Sequence, residues 1–98
     1  MNIAKALREF NEGRRNIERA IVGGVLRKCG GNIDASRDLT WHPGDFQEPP
    51  EAIVVRVRKA GRKIEQTFDR VEVEDSWDRV DRSDTWAKIH EIIEAACR

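Results

Sequence analysis

Cys29, His42, His90 and Cys97 are the side chains of this chain best suited to hold a metal or to act as a nucleophile and its base. Their spacing fits neither chemistry. Zinc ligands arrive in pairs two to five residues apart, and no two of these four are spaced that way. Cys29 and Cys97 fall on apolar helix faces, where cysteine acts as a small hydrophobe. His90 follows Trp86 by one helical turn and reads as a boundary residue packing on the core. No serine-centred elbow is present, and the glycine pairs at 23–24 and 30–31 lack the Lys-Ser/Thr of a phosphate loop. Glu72, Glu74, Asp75, Asp78, Asp81 and Asp84 are interleaved with Arg79 and Arg82, the pattern of a solvated charged face. The expectation is a chain that is not an enzyme and carries no metal or cofactor.

Residues suited to binding stand out more. Arg56, Arg58, Lys59, Arg62 and Lys63 crowd one short segment, and such a basic arm can track nucleic-acid phosphates or enter a groove. Arg14, Arg15 and Arg19 form a second basic cluster. Trp41, His42 and Phe46 lie in a proline-rich stretch that must lie at the surface or pack over it. Aromatic residues are the usual anchors of protein interfaces, and loop aromatics can equally be lids on the domain's own core. Ile21, Val22, Val25 and Leu26 form a wide apolar arc that needs cover on more than one side. That cover is either the core or a second copy of the chain. The expected function is a small regulatory or protein-binding module, acting through Trp41, His42 and Phe46 and homodimeric through the arc. The alternative is a nucleic-acid-binding domain that uses the arginine-rich hairpin.

Composition bounds these readings. Ninety-eight residues make one domain with a small core. Eighteen basic and eighteen acidic residues cancel, so net charge gives no generic affinity for nucleic acid or membrane. Distribution is less even. Residues 1–30 and 51–70 are basic, and 31–50 and 71–98 are acidic. The expectation is that these blocks neutralise one another on folding. No run approaches the ~18 apolar residues of a membrane span. Two distant cysteines without a secretory signal speak against a disulfide framework and for a cytoplasmic protein.

The elements that position these residues follow from periodicity. Ile3, Leu7, Phe10, Ile17, Ile21 and Val25 repeat at helical spacing. Arg14 interrupts the stripe, and Gly13 and Gly23-Gly24 are candidate breaks. At the break around residues 23–24 a β-hairpin is the rival reading. Asn2 is the expected N-cap, and Gly30-Gly31 after Arg27 and Lys28 mark the stop. Residues 30–51 read as mostly irregular, with one helical turn expected at 34–39. Ile53, Val55 and Val57 then alternate with Arg56 and Arg58. A two-residue turn at Ala60-Gly61 sets Val57 opposite Ile64, Ile53 opposite Phe68 and Arg56 opposite Glu65. Apolar parity switches after Phe68, so Asp69-Arg70 must be a turn leading to a third strand at 71–74, or a bulge. Trp86, Ile89, Ile93 and Ala96 form one face of a C-terminal helix, with Ile92 and Cys97 beside it and Asp81, Ser83 and Asp84 at its start. The predicted fold is α+β, with an N-terminal helical region, a β-hairpin or three-stranded meander, and a C-terminal helix on one sheet face. Helix, strands, helix is also the order of double-stranded-RNA-binding domains. Here, however, the last helix opens on acids and tryptophan in place of that family's basic start.

Overall fold

The computed structural model describes residues 3–80 and 82–98. The stripe that starts at Ile3 is continuous: α1 runs unbroken over Ile3–Cys29. At 1.5 Å per residue it is about 40 Å long and sets the 43 Å long axis of the molecule. It breaks neither at Gly13 nor at Gly23-Gly24, and the hairpin expected as the rival reading there does not form. Two of these glycines serve packing. A Cβ on Gly13 would overlap the Val73 carbonyl oxygen, and one on Gly24 would overlap Ile93 Cδ1. The helix stops as expected. Gly30 takes φ +68° and its N–H bonds the Leu26 carbonyl at 2.9 Å. The expected N-cap, Asn2, lies outside the described residues.

A three-stranded antiparallel sheet follows, in the order β1 (Leu39–His42), β2 (Ala52–Lys59), β3 (Arg62–Asp69). The hairpin has the expected register: Val57 faces Ile64, Ile53 faces Phe68 and Arg56 faces Glu65. Ala60 and Gly61 both have positive φ, 53° and 76°. That is the paired left-handed turn that matches the twist of the strands. The third strand is not where parity suggested it. It is β1, inside the segment read as irregular, and it pairs Leu39–His42 with residues 57–54. Residues 70–74 are instead a short helix, α2 (Arg70–Glu74). Asp69 caps it by accepting from Glu72 N–H, and Glu72 Oε1 accepts in return from Asp69 N–H at 2.9 Å. This reciprocal cap absorbs the parity break that a turn or bulge was expected to absorb.

The C-terminal helix α3 (Ser83–Ala96) buries Ile89, Ile92, Ile93 and Ala96. Its N-cap position is Arg82, which makes no side-chain cap bond. Of the expected caps, Asp81 lies outside the described residues. Leu39, Trp41, Ile53, Val55, Val57 and Phe68 are buried on the inner sheet face with Phe10, Ile17, Ile21 and Val25 of α1. Thr40, His42, Arg58, Lys63, Glu65 and Thr67 are exposed on the other. The helices thus cover one face of the sheet and leave the other to solvent.

Cys29 and Cys97 are joined in a disulfide, with Cα atoms 5.8 Å apart. This overturns the expectation drawn from cysteine spacing. The ends of α1 and α3, distant in sequence, are neighbours in space. The cytoplasmic expectation loses the support it took from unpaired thiols. No helix among the described residues is long and apolar enough to cross a membrane.

Candidate functional site

The expected protein-contact residues are divided: the alternation of β1 separates Trp41 from His42, and Phe46 lies beyond the strand. Trp41 points inward and is buried, and its Nε1–H donates to Glu18 Oε1 at 2.6 Å. Phe46 packs edge-on against Phe10, ring centres 5.4 Å apart. Arg14 lies over both rings, 5.8 Å from Trp41 and 5.1 Å from Phe46, and its Nη2 donates to Asn11 Oδ1 at 2.6 Å. This accounts for the one polar residue in the apolar stripe of α1. Burial lowers the Arg14 pKa from its ordinary value; Glu18 opposes that shift and Arg15 adds to it. Of the three expected contact residues, His42 remains exposed. Its Nε2 lies 3.1 Å from Thr40 Oγ1 on the open face of the sheet.

The dimer candidates also divide. Ile21 and Val25 are fully buried in the molecule's own core. Val22 is half-buried beside Glu18, Arg19 and Ala35, and Leu26 is 53% exposed.

The basic hairpin is where the structure gathers charge. Lys59 pairs with Arg62 and Arg58 with Lys63, so four cations flank the Ala60-Gly61 turn. Alternation sends Arg58 and Lys63 to the open face, with Arg56 behind them. Lys59 and Arg62 turn to the helix side. There the Lys59 stem lies over Gly31, and Arg62 Nη2 donates to the Ala96 carbonyl at 3.1 Å and the Arg98 carbonyl at 2.7 Å. Glu65 bonds Arg56 at 3.2 Å and lies 3.9 Å from Lys63. The Arg58 guanidinium has no ion pair among the described residues.

Among the described residues the charge blocks, Lys28 and Glu94 apart, do not pair with one another as expected. Lys28 and Glu94, 2.8 Å apart, do join a basic block to an acidic one. Lys28 accordingly holds the Glu94 carboxyl below its ordinary range. Arg56–Glu65, Arg70–Glu51, Arg82–Asp75 and Lys88–Glu72 each stay within a block. The hairpin therefore keeps its basic excess.

Comparison with protein-family models, curated proteins and solved structures finds no match to this chain.

Arg37 joins the hairpin cations on the open side and was missed by sequence reasoning. It is a lone basic residue in an acidic block, and only the pairing of β1 with β2 brings it to them. Cys29 and Cys97 are joined to each other, His42 lies on the sheet, and His90 packs beside Trp86 with ring centres 5.6 Å apart. These four are not brought together.

Proposed function

We propose that this chain is a non-catalytic module that binds duplex nucleic acid through the open face of its sheet. The observation that carries the reading is the basic rung Arg58–Lys63, exposed beside Arg56 and Arg37 on the face the helices leave uncovered. Three features support it. Beyond Val57, where the pairing with β1 ends, β2 and β3 continue as a two-stranded ribbon, and such a ribbon fits the major groove or follows its rim. The outward strand positions hold no phenylalanine, tyrosine or tryptophan, so the face offers phosphate contacts and lacks the stacking platforms of single-strand binders. Trp41 and Phe46, the anchors of the protein-contact reading, are engaged by the molecule's own core.

Fluorescence anisotropy with a labelled duplex across a salt series tests the proposal. Log affinity is expected to fall linearly with log salt, at about −0.9 per phosphate contacted. Arg58→Glu/Lys63→Glu is expected to abolish binding, since both side chains are exposed and their loss spares the core. A control pair on the helix surface, Arg8→Glu/Arg27→Glu, is expected to leave it intact. No binding at about 50 mM salt, or binding indifferent to the hairpin pair, sinks the reading.

A second reading, contact with another protein or a second copy, is favoured by exposed apolar side chains on the helical side: Ile3, Leu26, Val71 and Trp77, each about half exposed. A light-scattering mass twice that of the chain, reverting to monomer in Leu26→Glu, supports self-association. A monomeric mass at high concentration removes it.

A further inference from the structure

Where the turn before β1 meets the open sheet face there is a cleft of about 280 Å³, lined by Arg37, Asp38, Thr40, His42, Arg56 and Arg58. Strand pairing assembles it. Thr40 lies directly opposite Arg56, a separation of about 5 Å between Cβ atoms in an antiparallel ladder. Arg58, two residues on and on the same face, donates its backbone N–H to the Asp38 carbonyl at 2.7 Å. The turn that carries Arg37 is tied shut. Asp38 N–H reaches the Asp34 carbonyl at 2.6 Å, Asp34 N–H reaches Asp38 Oδ2 at 3.0 Å, and the Ser36 hydroxyl donates to Asp34 Oδ1 at 2.6 Å.

The charge in this cleft is only partly answered. Asp38 lies 3.6 Å from Arg37 and Glu65 bonds Arg56 at 3.2 Å. Arg58 has no ion pair among the described residues, and Arg56 Nε is buried without an acceptor. Of the residues lining the cleft three are arginines and one, Asp38, is a carboxylate. Asp34 also acts on Arg37 and Glu65 answers Arg56, so among the described residues Arg58 is the cation left without an ion pair, beside the neutral Thr40 hydroxyl. The volume is several times the ~30 Å³ share of one water. It admits a tetrahedral oxyanion with some of its hydration. Planar guanidinium forks match phosphate oxygens two at a time.

We propose that this cleft is a phosphate seat, in which Arg37, Arg56 and Arg58 supply the charge and Thr40 Oγ1 a neutral donor. The inference rests on the reading of the open face given above, on which the group seated is a phosphate of the nucleic-acid backbone. It fixes where on that face one phosphate sits. The seat shares Arg58 with the hairpin tip but not Lys63, which is not among its walls.

Two titrations test it. In the first, ¹⁵N-labelled protein is titrated with inorganic phosphate against sodium chloride of equal ionic strength. Saturable shifts are expected at the Arg37, Arg56 and Arg58 Nε–H and Thr40 amide resonances, with millimolar affinity. Arg37→Ala/Thr40→Val, both exposed positions, is expected to abolish them. Shifts that fail to saturate, or that persist in this variant, overturn the seat. In the second, the same variant is measured on the labelled duplex. A salt slope shallower by about 1 and severalfold weaker binding support the seat. Duplex binding with an unchanged slope removes the seat and leaves the nucleic-acid reading standing. Phosphate binding without duplex binding keeps the seat and removes that reading, so the two fail separately.

Discussion

Lys88 and Glu72 form an ion pair whose acidic partner is buried. Glu72 is 2% exposed and was expected on a solvated face. Its Oε1 accepts from both Lys88 Nζ at 2.6 Å and Asp69 N–H at 2.9 Å. Lys88 also donates to the Thr67 carbonyl at 2.9 Å and lies 5.5 Å from the Phe68 ring centre. One cation thus ties α3 to the end of β3 and to α2. Removing one partner of a buried pair costs more than the pair contributes, because a charge is left without an answer. Lys88→Met is therefore expected to destabilise by about 2–4 kcal/mol. Glu72→Gln keeps an oxygen for the cap and should cost less, about 1 kcal/mol. The double variant should recover part of the Lys88→Met loss. Urea unfolding of the three proteins measures this, and additive losses would show that the pair is not coupled.

At the scale of elements, α1 carries two kinds of glycine that look alike in sequence. Gly13 lets the α2 backbone approach, since any Cβ there meets the Val73 carbonyl. The three atoms nearest a Cβ on Gly23 all belong to the flexible Arg27 guanidinium, with Nη1 at 3.1 Å. Gly13→Ala should therefore destabilise by about 1–3 kcal/mol, the range for overpacking a core. Gly23→Ala should stabilise by about 0.5–1 kcal/mol through helix propensity. Thermal melts of the two variants should move in opposite directions. A shared direction would mean that α1 does not pack on α2 in this way. The hairpin turn offers the converse test. Ala60 holds a left-handed conformation at φ 53°, which costs a residue with a Cβ about 1–2 kcal/mol. Ala60→Gly is expected to stabilise by about 1 kcal/mol, and Ala60→Val, with a branched Cβ, to destabilise.

At the scale of the molecule, the Cys29–Cys97 disulfide closes a loop with a sequence separation of 68, joining the ends of the two main helices. Chain-entropy reasoning puts its stabilisation at about 4 kcal/mol, a large share of what a domain of this size has. Dithiothreitol should lower the melting temperature by more than about 10 °C, and Cys29→Ala/Cys97→Ala should match the reduced protein. An unchanged melt would show that the bond contributes nothing. Exposed carboxylates give the fold a pH dependence of known sign. Hydrogen bonds from Ser36 lower Asp34, those from Arg82 lower Asp84, and Lys28 lowers Glu94. A carboxyl lowered on folding stabilises above its ordinary pKa, and that contribution is lost as pH falls through its folded value. Melting temperature should hold from pH 7 to about 5 and decline below about 4. A rise on acidification would contradict these contacts.

What the sequence determined by itself is local and periodic. The stripe of α1, the alternation of β2 and β3, the Ala60-Gly61 turn and the apolar face of α3 follow from spacings of 3.6 and 2. The outward row of Arg56 and Arg58 follows with them. Tertiary structure decided what depends on residues far apart in the chain. Leu39–His42 is too short to show a period, and it becomes a strand because β2 offers it a ladder. Trp41 and Phe46 turn inward because Arg14, Glu18 and Phe10 of α1 receive them. Glu72 goes inside because Lys88 meets it there. The two cysteines pair because packing brings two helix ends together. The hairpin arginines were legible from the start. Their meeting with Arg37, Thr40 and His42 in one cleft was not, because it rests on a strand pairing that no local pattern announces.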